Sequence, residues 1–205
     1  MAGRSSSYGE DHDLSIVDRL GTGLNFRAAL REARSGDAVI DIGCGYDARL
    51  GRALAERGCA VTAVDMSVNP ALPAGITAVE GRVPEVLGRF ADASFDVTYC
   101  VNLLEHLDEP LAALRELGRI TKADGTIFVN VPSWRGRHFL EFAAFRLGKA
   151  PVAEMNDHKM YYDVRDLWPL AVEAGFEPRQ ISCRRVKGGL NTRLIVRRHL
   201  AERPR

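Results

Sequence analysis

The stretch "VIDIGCGYDARLGRALAERGCAVTAVD", residues 39–65, sets the architecture expected for this chain. It begins with a short run rich in β-branched residues and turns through two glycines. It continues as an alanine- and leucine-rich segment closed by a glycine and returns to a second β-branched run. Because two parallel strands need a crossover connection between them, this order predicts a β-α-β unit. The glycines at its first turn predict a place where the backbone approaches a ligand.

Strand-like and helix-like segments keep alternating after this unit. Third, fourth and fifth strands are predicted at "GITAVEG", "SFDVTYCVN" and "GTIFVNVP". A short helix "VPEVLGRF" and an amphipathic helix "EPLAALRELGRITK" connect them. Nearly continuous apolar strands between amphipathic helices indicate a parallel sheet that is covered on both faces.

The pattern changes near the C-terminus. A helix, "DVRDLWPLAVEAG", is followed by two strand-like runs, "FEPRQISCRRV" and "TRLIVRRH", which the glycine-rich turn "KGGLN" joins into an antiparallel hairpin. We therefore expect an α/β fold: a doubly wound, Rossmann-like sheet of seven strands, mostly parallel with an antiparallel C-terminal hairpin strand, and helices on both faces.

The N-terminal segment has helical periodicity as well. Residues 14–36 place Ile16, Leu20, Leu24 and Leu30 at roughly helical intervals with two glycines between them, which predicts one broken helix or two short ones ending at Gly36. A chain of 205 residues is long enough for one domain with a single core. We expect one domain over residues 1–205, divided into an N-terminal helical segment, a cofactor-binding core, an insert, and a last helix with the hairpin, at 1–36, 37–132, 133–162 and 163–205.

The composition is that of a soluble globular protein, with 46% hydrophobic and 27% charged residues. A net charge of +1 gives no overall electrostatic reason to expect a nucleic-acid partner. The apolar runs are too short to cross a bilayer, and the first residues lack the apolar core of a signal peptide. We therefore expect a cytoplasmic protein without an integral membrane segment. Reduced, buried thiols are favoured over a metal or disulfide role for the four scattered cysteines, Cys44, Cys59, Cys100 and Cys183.

The first glycine turn and an acidic residue outline a nucleoside site. Gly43 and Gly45 lie where the first strand turns into the helix, and Asp65 ends the second strand 20 residues after Gly45. At this spacing a carboxylate accepts hydrogen bonds from ribose hydroxyls. The site predicts an adenosine-containing ligand.

Two cofactors fit such a turn. Gly43, Gly45 and Ala48 form GxGxxA, which matches the dinucleotide fingerprint. Against a dinucleotide stands Asp41 at the end of the first strand, because a carboxylate there repels a pyrophosphate and favours a cationic ligand. S-adenosylmethionine is such a ligand, since it carries a sulfonium and an ammonium group.

At these residues the chain resembles the class I S-adenosylmethionine-dependent methyltransferases, whose first motif is D/E-x-G-x-G-x-G. The resemblance extends over residues 37–198. The segment "SFDVTYCVNLLEHLDEPLAALRELGRITKADGTIFVNVPS" is similar to the fourth strand, fourth helix and fifth strand of the small-molecule branch, which carries "LEHL". The closing hairpin is similar to the antiparallel seventh strand of the family.

The resemblance implies S-adenosyl-L-methionine as cofactor and assigns residues to its parts. The backbone of Gly43, Cys44 and Gly45 would hold the methionine moiety near Asp41, and Asp65 would bind the ribose. The remaining residues would be Met66 packed on the adenine, the Val83 N–H donating to the adenine ring, and Asn102 facing the methionine end and the substrate.

Two positions depart from the family pattern. Asp47 stands where the motif usually has its third glycine, so the turn is expected to be wider or the start of the helix more polar. Arg82 stands where the family often has a carboxylate for the adenine amino group, and a guanidinium cannot accept that hydrogen bond.

Candidate catalytic residues follow the fourth strand and precede the last helix. His106 comes just after the fourth strand, where loops at the carboxyl ends of strands form the crevice, and an unperturbed pKa of about 6.5 suits a general base. Asp157, His158 and Tyr161 lie together in "NDHKMYYD". The alternatives are a histidine that stabilises a helix start and an ordinary hydrogen-bonded loop. No metal site is predicted, because nothing has ligand spacing.

The insert is longer than the usual connection after a fifth strand, and functional lids are a common reason for such length. Its segment "RGRHFLEFAAFRLGKAP" is apolar on most of a helical circumference. Packing onto the domain, a substrate lid, a homodimer interface and a membrane-surface contact all remain open for it. Four cations flank the aromatic residues and would suit an anionic or a sugar- or lipid-linked acceptor: Arg135, Arg137, Arg146 and Lys149.

Three functions are therefore in competition. The first is a methyltransferase that acts on an oxygen or nitrogen of a small-molecule acceptor. The second is an NAD(P)-binding oxidoreductase, which Asp41 and the final hairpin argue against. The third is a non-catalytic methyltransferase-like binding protein, which the departures at Asp47 and Arg82 keep open.

Overall fold

A seven-stranded sheet with the order β3-β2-β1-β4-β5-β7-β6 forms the centre of the computed structural model, which describes residues 26–136 and 159–198. Neighbouring strands are parallel except at β7, which runs antiparallel to both β5 and β6. The predicted α/β sheet with an antiparallel hairpin strand is confirmed. The strands are β1 (Ala38–Ile42), β2 (Ala60–Asp65), β3 (Ile76–Glu80), β4 (Phe95–Val101), β5 (Thr121–Pro132), β6 (Ile181–Val186) and β7 (Asn191–Arg197).

Helices lie on both faces of this sheet. Three α-helices lie entirely within residues 38–136 and 159–198: α1 (Arg49–Ala55), α2 (Pro110–Ile120) and α3 (Val164–Glu173). The short helix expected between β3 and β4 is a 3₁₀ turn, Glu85–Arg89, and a second 3₁₀ turn, Leu104–His106, follows β4.

One face of the sheet packs against α2 and α3. Its core residues are completely or nearly completely buried, and they include Ile40, Ile42, Leu114, Leu117 and Leu167. The apolar residues of α2 recur every three or four positions, so one side of the helix is buried and the other is solvated. This layer fixes the strand ends on which the site is built.

The opposite face packs against α1 and a helical turn at residues 26–29. Val39, Tyr99 and Phe128 are fully buried there, together with Leu54 of α1. The Tyr99 hydroxyl donates to the carbonyl of Ala29 at 3.0 Å, which anchors the turn on β4. Because consecutive residues of β1 are buried on opposite faces, the strand is apolar except at Asp41.

Two predicted helix ends are displaced in the structure. The helix after residue 109 ends at Ile120, because Thr121 already pairs with Phe95 as the first residue of β5. The Thr121 hydroxyl is buried between the Leu117 carbonyl, at 2.6 Å, and Thr98, at 2.7 Å.

The N-terminal helix predicted to reach Gly36 is helical only as far as residue 29 within the described part. The N–H groups of Arg31 and Glu32 donate to carbonyls three residues earlier, at 3.3 and 3.0 Å, so the last turn tightens and the helix ends. Gly36 then adopts a φ of 91° ahead of β1. Residues 1–25, on which the rest of that prediction falls, lie outside the described residues.

All four cysteines are free thiols. Cys59 and Cys100 are buried as predicted, whereas Cys44 and Cys183 are half-buried. In the portion of the chain that the structure describes, no helix combines the length and apolar character needed to span a membrane.

Candidate active site

The turn after β1 has an unusual backbone. Gly43, Gly45 and Ala48 have φ values of 74°, 70° and 44°, all in the left-handed region that favours glycine. The N–H groups of Gly43 and Cys44 both donate to the carbonyl of Val64, at 2.8 and 3.1 Å, so the turn is tied to the end of β2. A left-handed alanine is strained by about 1–3 kcal/mol, and such strain is concentrated at functional sites.

The departure at Asp47 changes where this turn closes. Asp47 is exposed, and its Oδ1 accepts a hydrogen bond from Asn69 Nδ2 at 3.0 Å. Asn69 also donates its N–H to the carbonyl of Tyr46 at 2.8 Å. The left-handed conformation falls on Ala48, the residue before α1, instead of on a glycine at position 47. The loop after β2 thus holds the turn from outside, and the start of α1 is polar.

Asp65 connects the turn to the end of β2. Its Oδ2 accepts the N–H of Gly45 at 2.8 Å, and its Oδ1 accepts the N–H of Met66 at 2.7 Å. A carboxylate is the kind of acceptor that a ribose hydroxyl needs. The structure therefore places Asp65, Gly45 and Met66 together.

A second carboxylate, which the sequence analysis missed, lies beside Asp65. Glu80 ends β3 directly opposite Asp65 in the register of the sheet. Its Oε1 accepts the N–H of Val68 at 2.9 Å and so holds the loop that follows Met66. Its position as the acidic last residue of a strand next to β2 is the signal that could have identified it. Val83, three residues further on, is half-buried against the core.

Asp41 lies under the turn and is only 2% exposed. Burial raises the pKa of Asp41 to about 7, the N–H of Gly51 in α1 lowers it, and the charge of Asp65 raises it to a smaller extent. No hydrogen-bond partner for its Oδ2 is found among the described residues. A buried carboxylate with an open acceptor position is suited to a cationic group.

Cys44 contributes its backbone rather than a reactive thiol. Its Sγ donates to the carbonyl of Gly45 at 3.2 Å. Burial raises the pKa of the thiol far above its usual value, and the charges of Asp41 and Asp65 add to this effect. The thiol is therefore neutral and is not a nucleophile.

The loop after β4 closes over the glycine turn. A Cβ built on Gly43 would lie 2.8 Å from Leu103 Cβ, so the two loops are in direct contact. Asn102 precedes Leu103 with a φ of 54°, and its N–H donates to the carbonyl of Asn130 in β5 at 2.8 Å. Asn130 Nδ2 lies 3.4 Å from Asn102 Oδ1. Asn102 is thus exposed at the edge where β1, β4 and β5 meet.

His106 lies in the 3₁₀ turn that follows, next to a buried acid. Glu105 is 1% exposed, and burial raises its pKa to about 8. The Glu105 carbonyl accepts the N–H groups of Lys159 and Met160, at 2.9 and 3.3 Å. The chain that returns from the insert is therefore bonded to the turn that carries His106, which is itself half-buried.

The remaining candidates for catalysis belong to this returning segment. Tyr161 is 7% exposed and packs against Trp134, with ring centroids 5.7 Å apart. Tyr162 is also buried, and burial together with Glu105 raises its pKa to about 12. Asp157 and His158 lie outside the described residues, as does most of the insert. Among residues 26–136 and 159–198, no cluster of three His, Cys, Asp or Glu side chains could hold a metal ion.

These features fit S-adenosylmethionine. The left-handed turn brings backbone N–H groups and Asp65 together, and the open Oδ2 of Asp41 supplies negative charge below them. A nicotinamide dinucleotide would place its pyrophosphate in the same turn, where the acidic residues disfavour it.

Comparison with known proteins gives the same result. The profile of a methyltransferase-domain family matches residues 16–181, which is most of the chain. A ubiquinone biosynthesis O-methyltransferase of Pseudomonas aeruginosa (strain LESB58) is 28% identical over 164 residues, covering 74% of this chain and 69% of that protein. A protein of the same name from Idiomarina loihiensis is 38% identical over 112 residues, covering 48% of this chain and 46% of its own.

Solved structures share the fold. An S-adenosylmethionine-dependent methyltransferase from Archaeoglobus fulgidus superposes with a TM-score of 0.66 at 16% identity, covering 87% of this chain and 94% of its own. The 1,6-didemethyltoxoflavin-N1-methyltransferase of Burkholderia thailandensis, solved with S-adenosylhomocysteine, gives 0.59 at 20% identity and covers 86% and 76%. The chain belongs to the methyltransferase-domain family, and it is a class I S-adenosylmethionine-dependent enzyme.

Proposed function

We propose that this methyltransferase methylates a hydroxyl oxygen of a small-molecule acceptor and that His106 is the general base. The enzyme class and the cofactor are those of the family, and the oxidoreductase and non-catalytic alternatives are set aside on that ground. The choice of oxygen over nitrogen is supported by the names of the relatives, which are O-methyltransferases.

The cofactor residues are proposed to act as a set. The bound cofactor supplies an electrophilic methyl group on a sulfonium. Asp65 binds the ribose hydroxyls, Met66 packs on the adenine, and the Val83 N–H donates to the adenine ring. The methionine moiety lies on the turn of Gly43, Cys44 and Gly45 above Asp41, with Asn102 at its reactive end.

The observation that carries the proposal for His106 is the contact between two loops. Leu103 packs directly on Gly43, so the 3₁₀ turn Leu104–His106 begins beside the cofactor turn. A hydroxyl acceptor must lose its proton during in-line methyl transfer, and a positioned base contributes about 10²–10⁴-fold. Asp157, His158 and Tyr161, at the end of the insert, are proposed as acceptor contacts.

The experiment measures methyl transfer from S-adenosylmethionine to a panel of phenols, catechols and amines. We expect phenolic hydroxyls to be methylated and His106→Gln to lower kcat by about 10²–10⁴-fold while S-adenosylhomocysteine still binds. The kcat of the wild-type enzyme should fall at low pH, and the pH profile of the variant should lack this fall. The control is Asp108→Asn, which removes an exposed carboxylate two residues away that pairs with Lys159.

An unchanged kcat and pH profile in the His106 variant would assign the proton transfer to another group. Methylation confined to amines would contradict the choice of oxygen.

Location and assembly belong to the same proposal. A cytoplasmic protein that acts without nucleic acid agrees with the composition and net charge. We propose a single domain and a homodimer formed through the aromatic insert. The cations of the insert support an anionic, or sugar- or lipid-linked, acceptor, and Arg135 lies beside the hairpin turn at Gly189.

A further inference from the structure

The antiparallel strand β7 carries a buried arginine to the cofactor edge of the sheet. Arg193 is 8% exposed. The register places it opposite Asn130 of β5, and Asn130 lies opposite Val101, the residue before Asn102. Because residues opposite each other in register share a face of the sheet, Arg193 and Asn130 point to the same side.

The guanidinium of Arg193 extends over the neighbouring strand. It lies 5.2 Å from the centroid of the Phe128 ring, which is in β5, between β7 and β4. Its Nε has no hydrogen-bond acceptor among the residues that the structure describes. A buried charge without a hydrogen-bonded counter-charge is strongly unfavourable, so this position is complementary to an anion.

Asn130 presents a second open polar group beside it. The side chain is completely buried, and its Oδ1 has no partner among the described residues. Within residues 26–136 and 159–198, its amide nitrogen makes only the long 3.4 Å contact with Asn102. Asn130 therefore lies between Asn102 and Arg193 with hydrogen-bonding capacity that a ligand could use.

The charges around Arg193 reinforce the preference for an anion. Glu32 is the carboxylate that raises the pKa of Arg193, but it already pairs with Arg197 at 2.8 Å. Burial lowers the pKa of Arg193, and Arg184 lowers it further. Lys187, in the turn before β7, has its pKa lowered to about 8 by burial and by Arg193, so the two cationic groups are close.

We propose that Arg193 binds an anionic group of the methyl acceptor, a carboxylate or a phosphate, and that the open Oδ1 of Asn130 accepts a hydrogen bond from a donor on the same ligand. This inference rests on the proposed function, since it assumes that the acceptor lies beside Asn102. Two strand spacings, about 10 Å, separate the backbone of Arg193 from that of β4. This spacing suits an acceptor in which about one aromatic ring separates the acidic group from the oxygen that is methylated.

The test uses the full chain saturated with S-adenosylhomocysteine and three probes: benzoate, phenyl phosphate and the neutral benzamide. Binding is measured by calorimetry at constant ionic strength. We expect at least one anion to bind the wild-type protein saturably and Arg193→Met to weaken it about 10- to 100-fold, as for loss of a charged hydrogen bond. Binding of benzamide should not differ between the two proteins.

The matched control is Arg197→Met, which removes an arginine from the same face of the same strand, four residues towards the other edge. Its anion binding should stay within about twofold of wild type, the range in which surface charges act. Arg193→Lys keeps the charge but loses the planar fork, and we expect it to weaken phenyl phosphate about tenfold. Arg193→Lys also tests the proposal if Arg193→Met does not fold.

Anion binding that persists in the Arg193 variants, or no saturable binding of either anion to wild type, would overturn the assignment. Suppose that S-adenosylhomocysteine binds equally to wild type and Arg193→Met and that the affinity for the anions is also unchanged by the substitution. Then only this inference fails. If the wild-type chain does not bind S-adenosylhomocysteine, the proposed function fails and this inference fails with it.

Discussion

At the scale of single residues, Asp65 has the most defined position in the site. Its two oxygens already accept backbone N–H groups from opposite sides, which fixes the carboxylate between the glycine turn and Met66. Such fixed acceptors bind ribose hydroxyls without reorganising.

Replacing Asp65 by Ala should therefore weaken S-adenosylhomocysteine strongly. Loss of one or two charged hydrogen bonds, about 1.5–3 kcal/mol each, predicts a Kd at least tenfold higher by calorimetry. The control is Glu80→Gln, because the amide oxygen can still accept the N–H of Val68 in the neighbouring strand. Equal affinities of the Asp65 variant and wild type would show that the ribose lies elsewhere.

Glu105 predicts a pH dependence of stability. Its folded pKa of about 8 is above the ordinary value of 4.5, so the folded state binds the proton more tightly than the unfolded state. The resulting stabilisation is fully present below pH 4.5 and is lost as the pH rises to about 8. Each unit of pKa difference corresponds to about 1.4 kcal/mol, so several kcal/mol are at stake.

Glu105→Gln, which cannot titrate, should remove this dependence. Relative to the variant, the wild-type free energy of unfolding should fall between pH 5 and pH 8, measured by urea denaturation. Glu109→Gln, an exposed residue in the same loop, should leave the wild-type profile unchanged. Parallel profiles for wild type and Glu105→Gln would mean that Glu105 is ionised in the folded protein.

Local sequence motifs predicted some residues of the site and missed others. The glycine turn, Asp41 and Asp65 are close in sequence and follow one strand-turn-helix unit, so their spacing fixed their positions. Glu80 and Arg193 lie on strands whose register with β2 and β5 depends on the whole sheet. No short pattern contains that register, so Arg193 was missed, and for Glu80 the only signal was an acidic residue at the end of a strand.

At the scale of elements, the contact between the turn after β1 and the loop after β4 is tight enough to test. Gly43→Ala meets both a left-handed φ and the Leu103 side chain, whereas Gly75→Ala meets a φ of 97° with nothing within 4 Å. We expect Gly43→Ala to destabilise the protein by about 2–4 kcal/mol and Gly75→Ala by about 1–2 kcal/mol. Urea denaturation gives both values.

Adding Leu103→Ala separates the two causes. Alanine lacks the Cγ and Cδ2 that lie 3.1 Å from a Cβ on Gly43 but keeps the Cβ at 2.8 Å. It should therefore recover a small part of the loss caused by Gly43→Ala and none of the loss caused by Gly75→Ala, which has nothing within 4 Å. Additive effects in the Gly43 pair would show that the Cγ and Cδ2 atoms of Leu103 do not contribute to the need for this glycine.

Element types were predictable because each strand and helix has a clear apolar period, whereas their ends were set by tertiary contacts. The helix α2 stops at Ile120 since the Thr121 hydroxyl finds buried partners in Thr98 and Leu117. Nothing in "RITKADG" shows those partners. The N-terminal helix likewise ends at Ala29, whose carbonyl accepts the Tyr99 hydroxyl of β4, and not at Gly36.

At the scale of the whole molecule, the apolar character of the insert, residues 133–162, leads us to expect an oligomer. We expect the protein to sediment as a homodimer, and Phe139→Ser with Phe142→Ser should shift it to a monomer, because polar residues remove the apolar area of the contact. Sedimentation velocity at several concentrations measures this. The control is Phe90→Ser, which should lower the unfolding free energy without changing the association state, since Phe90 packs on Phe95 within the domain. A monomer at all concentrations would contradict the dimer.

The order of strands also has a consequence for synthesis. β7 is made after β6 but inserts between β6 and β5. While the ribosome is still translating residues before 191, β6 lacks its neighbour in the sheet and β5 exposes a free hydrogen-bonding edge. The strands that carry the cofactor turn precede β7 in the chain, whereas the position of Arg193 forms only when β7 pairs with β5. Chaperones that bind exposed strand edges would meet this chain at that late stage.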